Sequence, residues 1–201
     1  MITYSQLMPY ITPELPGVHT GVLLNAIREA AREFCADTGI WVQDLAATDV
    51  VAGTQSYELS ALLPTKSEIH AINWVKINGG VQNPYNFSLD QESTLKFGDE
   101  YIPTVSTTGG LKVSVMLIPT LVDDALPSYI LTRWYKAVIA WACVSLMSDP
   151  LKPYGNDRRL SRWIEEKMHQ ESCAKRSFLH EHVLRDFSAA STNWIISNWI
   201  I

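Results

Sequence analysis

Residues 20–42 read TGVLLNAIREAAREFCADTGIWV, and the chain changes its period inside this stretch. Val22, Leu23, Ile27, Ala30, Ala31, Phe34 and Cys35 recur at helical spacing, with Arg28, Glu29, Arg32 and Glu33 largely on the other side. Gly39 is the expected stop, because glycine takes the left-handed backbone that ends helices. From Trp41 to Ile118 the pattern becomes that of strands. Leu111, Val113, Val115 and Leu117 alternate strictly with Lys112, Ser114 and Met116. Helical spacing returns after Pro127, so the predicted class is α+β.

Working outward, the strand-like block predicts five to seven short antiparallel strands. Residues 49–59, DVVAGTQSYEL, read as two extended pieces around a turn at Gly53. Asn78-Gly79-Gly80 is a hairpin signal, because these residues tolerate positive φ. Tyr85, Phe87 and Leu89 alternate, Tyr101 to Val105 reads as extended, and Thr108-Gly109-Gly110 reads as a turn. Pro127 and Ser128 open a second helix, Tyr129 to about Ser148, apolar almost all round and therefore central. A proline-broken loop, residues 149–155, ends it. Asn156 or Asp157 caps a third helix running to about Leu184. Pro9, Pro13 and Pro16 make residues 1–19 an extended arm. The expected plan is a bundle of about three long helices, 20–40 and 127–185, with a small antiparallel β domain inserted at 41–120. The arm precedes it, and a tail, 186–201, follows it.

The chain has 201 residues, 47% of them hydrophobic and 18% charged, which suits a folded core and argues against wholesale disorder. Its net charge of −5 carries no general footprint for nucleic acid. Cys35, Cys143 and Cys173 are odd in number and far apart, which suits free thiols in a reducing cytoplasm. The proline-broken N-terminus lacks a basic leader and reads as no signal peptide. Arg133 and Lys136 interrupt the longest apolar run, so it reads as a core helix rather than a membrane span.

No catalytic fingerprint emerges: no GxSxG, P-loop, GxGxxG, HExxH or EF-hand loop. No cofactor or metal is expected. His180 and His182 stand at i and i+2, which point apart on a helix. A Cys35 and His19 nucleophile pair exists only as residue types. Asp123-Asp124 suits a helix start, where carboxylates favour the dipole.

Two features exceed a bland globular reading. The first is the positive set Lys152, Arg158, Arg159, Arg162 and Lys167, followed by Lys175 and Arg176. It is either a solvated helix face, partly neutralised by Glu165, Glu166 and Glu171, or a face meeting an acidic partner or DNA phosphates. The second is the ending, where Asn-Trp-Ile-Ile occurs at 193–196 and again at 198–201. Trp194, Ile195, Ile196, Trp199, Ile200 and Ile201 put six large apolar side chains into eight residues. At about 25 cal/mol per Å² that strip gains from burial. It folds back on its own domain or docks on another subunit, and Trp is a preferred interface anchor.

The ordered phrases Leu15-Pro16-Gly17, Ala31-Arg32-Glu33-Phe34-Cys35, Trp41, 49–59 and Asn78-Gly79, with the 148–157 loop before a basic helix, resemble those of head–tail adaptor (connector) proteins of tailed bacteriophages. The resemblance spans roughly residues 5–180. It implies a structural virion protein of the neck, made in the host cytoplasm and assembled as a ring of twelve copies under the portal. Such a ring extends the DNA channel, touches DNA only non-specifically and gives tail or nozzle proteins a platform. It also implies that the C-terminal strip docks on the portal protein. Head-closure and tail-terminator proteins are the rivals within the same neck. A soluble β-rich ligand-binding module is the rival from another class. No membrane contact is expected, since the strip is too short to span and lacks close basic flanks.

Overall fold

The computed structural model describes residues 2–122, 125–149 and 157–183. In chain order the elements are β1 (Ile2–Thr3), a 3₁₀ turn (Tyr4–Leu7), α1 (Met8–Ile11), α2 (Thr20–Thr38), β2 (Val42–Asp44), β3 (Thr48–Val50), β4 (Ser56–Glu58), β5 (Ser67–Ile77), β6 (Gly80–Val81), β7 (Phe87–Asp90), β8 (Thr94–Phe97), β9 (Thr107–Pro119), β10 (Ala125–Leu126), α3 (Ser128–Met147) and α4 (Asp157–Phe178). A π-helical turn, Leu179–Val183, follows α4. The chain divides into two compact units, Met1–Ile40 with Leu126–Ile201, and Trp41–Ala125.

In the helical unit α2 begins at His19, whose Nδ1 accepts from the Gly21 N–H at 3.2 Å. It ends at Gly39, φ 61°, whose N–H reaches the Cys35 carbonyl at 2.9 Å, as glycine-ended helices do. The buried face runs Leu23, Ala26, Ile27, Ala30, Ala31, Phe34, Cys35 and Thr38. Val22, expected on it, lies 42% exposed. Phe34 meets Trp141 edge-on at 5.3 Å and Trp134 at 6.0 Å. α3 is buried along most of its length and departs from helical angles at Trp134 (φ −117°, ψ 17°).

The expected extended arm is a correction. Residues 4–11 are helical, and Tyr4, Leu7, Ile11 and Leu15 are all buried. Their spacing of three and four residues is that of a helical face. Pro9 lies in the first turn of α1, where the backbone N–H has no helical partner to lose.

The β unit is a larger correction. The fold is not a bundle of three long helices with a small β insertion. Among the described residues it has four helices and, besides the short β1-β10 pair, two antiparallel sheets, one of them a curled half-barrel. The thirteen residues of β9 pair with β2 and β3 along one edge and with β5 along the other, and β5 continues to β6. Register shifts at Ile69/Ala71, Ile72/Trp74 and Thr48/Val50 add residues to one strand of each pair, which raises its twist and curls the sheet. The second sheet is β4-β8-β7. It turns Tyr57, Leu95 and Phe97 inward, with Tyr57 and Phe87 edge-on to Phe97 at 5.9 and 6.5 Å.

Gly53 turns with φ 80°, and Asn78 and Gly79, with φ 51° and 84°, make the β5–β6 hairpin. Thr108-Gly109-Gly110, expected as a turn, lies inside β9 instead. A Cβ on Gly110 would stand 2.5 Å from Asn78 Oδ1, so glycine is there for close approach. Residues 102–106 lie outside the strands. In β9, Ser114 and Met116 are buried as well as their inward neighbours, so both faces of the strand are covered there.

Candidate functional site

α4 carries the basic set, and its packing is uneven. Ala174 and Phe178 are buried, whereas no residue from Asp157 to Cys173 is. Leu160 and Trp163 are half-buried, while Ile164 (40%) and Met168 (62%) are exposed. A helix normally hides its apolar stripe. Here the first four turns leave part of theirs in solvent.

The basic residues divide by task. Arg159 Nη1 donates to the Glu14 carbonyl at 3.1 Å, and Arg162 Nη2 lies 3.1 Å from Glu14 Oε1. Both fasten α4 to the segment after α1. Arg162 also stacks over the Trp163 ring at 5.0 Å, and Lys167 Nζ lies 4.6 Å from the centre of the Trp141 ring, beside the core. Lys175 pairs with Glu171 one turn back at 2.7 Å. Arg158 is exposed, and Arg162 keeps 63% of its side chain in solvent. The residues expected to share one face are therefore brought onto one helix but not to one purpose. Lys152 lies outside the described residues, and so do Trp194, Ile195, Ile196, Trp199, Ile200 and Ile201. Asp123 and Asp124 lie outside them too.

The β unit has a surface that the sequence reading missed. A shallow groove of about 300 Å³ is lined by Ile77, Asn78, Gln82, Tyr101, Pro103 and Val105, among others. Val81, Tyr85, Tyr101 and Val105 stand exposed along this part of the chain, Tyr85 at 82%. Gly98 ties the segments together: its N–H reaches the Asn86 carbonyl at 2.9 Å, and its carbonyl receives the Tyr101 N–H at 2.8 Å. Asp99 and Glu100, both exposed, sit between Gly98 and Tyr101. Tyr101 to Val105, expected to be extended, includes residues outside the strands, and Tyr101 and Val105 are exposed.

Two of the three thiols are buried and held in the protonated form. Burial pushes the Cys35 thiol up to about 12, and chiefly burial does the same to Cys143. His19 caps the start of α2 and Cys35 lies near its end, about 24 Å away along the axis, so the two cannot meet. His180 is exposed, and the Glu181 carboxylate beside it is bonded to Arg133 at 2.6 Å and to Ser177 at 2.9 Å.

Charge separates between the units. Trp41–Ala125 holds ten Asp and Glu against four Lys, net −6. The remaining chain holds twelve Lys and Arg against eleven Asp and Glu, net +1. Compared with protein-family models and with curated proteins, the chain matches none.

Proposed function

We propose that this chain is a subunit of the adaptor ring in the neck of a tailed bacteriophage. The ring sits between the portal and the tail, extends the DNA channel and presents a platform to tail or nozzle proteins. Residues 194–201 dock on the portal. DNA is touched only through non-specific charge, and no catalytic residue is assigned.

The observation that carries the reading is the outer face of α4. It leaves Ile164 and Met168 in solvent beside Arg158 and Arg162, while the negative charge of the chain resides in the other unit. A ring subunit needs two different faces that meet around an axis, and a chain with one near-neutral unit, net +1, and one acidic unit, net −6, has surfaces that differ. The ordered phrases of the sequence support the same assignment. The terminal strip supports portal docking, since two Trp anchors and four Ile suit pockets in a partner.

Sedimentation with purified portal rings tests the reading. The full chain is expected to co-sediment, and a chain ending at Ala190 is expected to stay in the supernatant. Equal binding by both would remove the tail from docking. Binding by neither would overturn the adaptor assignment.

A further inference from the structure

We propose that His169 and Cys173 form a two-residue chelate on the surface of α4 for a borderline-soft divalent cation of the Zn²⁺ type. The inference goes beyond the adaptor reading and stands whether or not that reading holds.

The two residues stand at i and i+4 on a helix of 22 residues, so their side chains lie on one face, a turn apart. His169 Nε2 lies 3.8 Å from Cys173 Sγ. Zinc–sulfur bonds are about 2.3 Å and zinc–nitrogen bonds about 2.0–2.1 Å, so a tetrahedral ion spans about 3.6 Å between such a pair. The donors therefore already stand within about 0.2 Å of the separation the ion needs. The helix holds both backbones, which leaves little ordering for the ion to impose.

The surroundings leave the pair open. His169 is exposed and Cys173 half-buried, which gives the ion a path from solvent. The carboxylates nearest along the helix are engaged: Glu166 accepts from Gln170 Nε2 at 2.9 Å, and Glu171 holds Lys175 at 2.7 Å. Among the described residues no third His, Cys, Asp or Glu joins the pair in a metal-binding group. The site offers one imidazole and one thiolate, with the remaining positions left to water. That makes it an exchangeable site, unlike a closed structural centre with four protein ligands.

The donors choose the ion. Thiolate and imidazole suit Zn²⁺, whereas Mg²⁺ and Ca²⁺ take oxygen ligands. On binding, the Cys173 S–H bond gives way to a sulfur–metal bond, and the proton leaves to solvent. The neutral His169 ring gives its Nε2 lone pair, and nothing is oxidised or reduced. Cys35 and Cys143 do not compete, because both are buried and kept protonated.

Titration of the full chain with Cd²⁺, without a histidine tag and with a phosphine reductant, tests the site. Cadmium stands in for zinc because its thiolate bond gives an ultraviolet charge-transfer band. Thermal melting without metal checks that each variant folds. The unmodified chain is expected to bind one ion and to show the band. Cys173→Ser should abolish the band. His169→Gln should weaken binding at least about tenfold, because a chelate becomes a single ligand. His180→Gln should bind like the unmodified chain, and excess Mg²⁺ should displace nothing. Zn²⁺ should raise the melting temperature of the unmodified chain but not that of Cys173→Ser.

If the unmodified chain shows no band, or Cys173→Ser keeps it, the ion is not held by this thiolate and the inference is overturned. If His169→Gln binds as tightly as the unmodified chain, Cys173 is an ordinary surface thiol and the chelate is overturned.

Discussion

Glu58 is an exposed carboxylate held by three hydrogen bonds. Its oxygens accept from Ser93 Oγ at 2.6 Å, the Ser60 N–H at 2.9 Å and Thr94 Oγ1 at 3.0 Å. These bonds favour the charged form, chiefly the one from Ser93, and hold its pKa at about 2 against an ordinary 4.5. The sign follows from linkage. The folded state releases this proton more readily than the unfolded chain, so the contribution is present above the unfolded value. It is lost as pH falls from about 4.5 through about 2. Melting curves of the unmodified chain and of Glu58→Gln, taken across that window, should converge as the pH falls. Parallel curves would mean that the three bonds do not form around the ionised group. The carboxylate pins the edge of β4 to the start of β8, a role that the reading of 49–59 as two extended pieces does not disclose. Glu58 reads in the sequence as one residue among its neighbours, and two of its three partners, Ser93 and Thr94, lie 35 and 36 residues away.

Among the elements, β9 organises the β unit, and Gly110 decides whether it can. The Asn78 N–H reaches the Gly110 carbonyl at 2.8 Å, while the Asn78 side chain fills the space a Cβ would need. Gly110→Ala should therefore cost about 1–3 kcal/mol by overpacking, read from urea unfolding. A change within error would mean that the hairpin moves aside freely. The alternation that placed Leu111, Val113, Val115 and Leu117 inward was legible because it depends on neighbours alone. The length of β9 was not, because glycines 109 and 110 carry the same local signal in a turn and in a strand that another backbone approaches closely. The amphipathic spacing of Tyr4, Leu7, Ile11 and Leu15 was present in the sequence as well. Three prolines were read as breaking that segment, although Pro9 falls where a helix tolerates it. In α4 the basic residues were visible, but their division was not. Glu14, which takes Arg159 and Arg162, is more than 140 residues distant in sequence.

At the scale of the whole molecule, the chain divides into two units of different net charge. The boundary near Trp41 was legible as a change of period, since a helix and a strand repeat differently along any chain. The groove corner was not, because it gathers residues from 77 to 105 that carry no shared pattern. The tryptophan and isoleucine strip is apolar in composition, and Ile164 and Met168 on α4 stand in solvent, so both are surface that burial favours. The most direct test is the mass of the assembly formed with portal rings, measured by native mass spectrometry over a range of protein concentrations. The account predicts one closed species in which subunits of 22.6 kDa add in a single fixed number, twelve per portal ring. A monomer at every concentration, or a ladder of open oligomers that never reaches a fixed number, would contradict it.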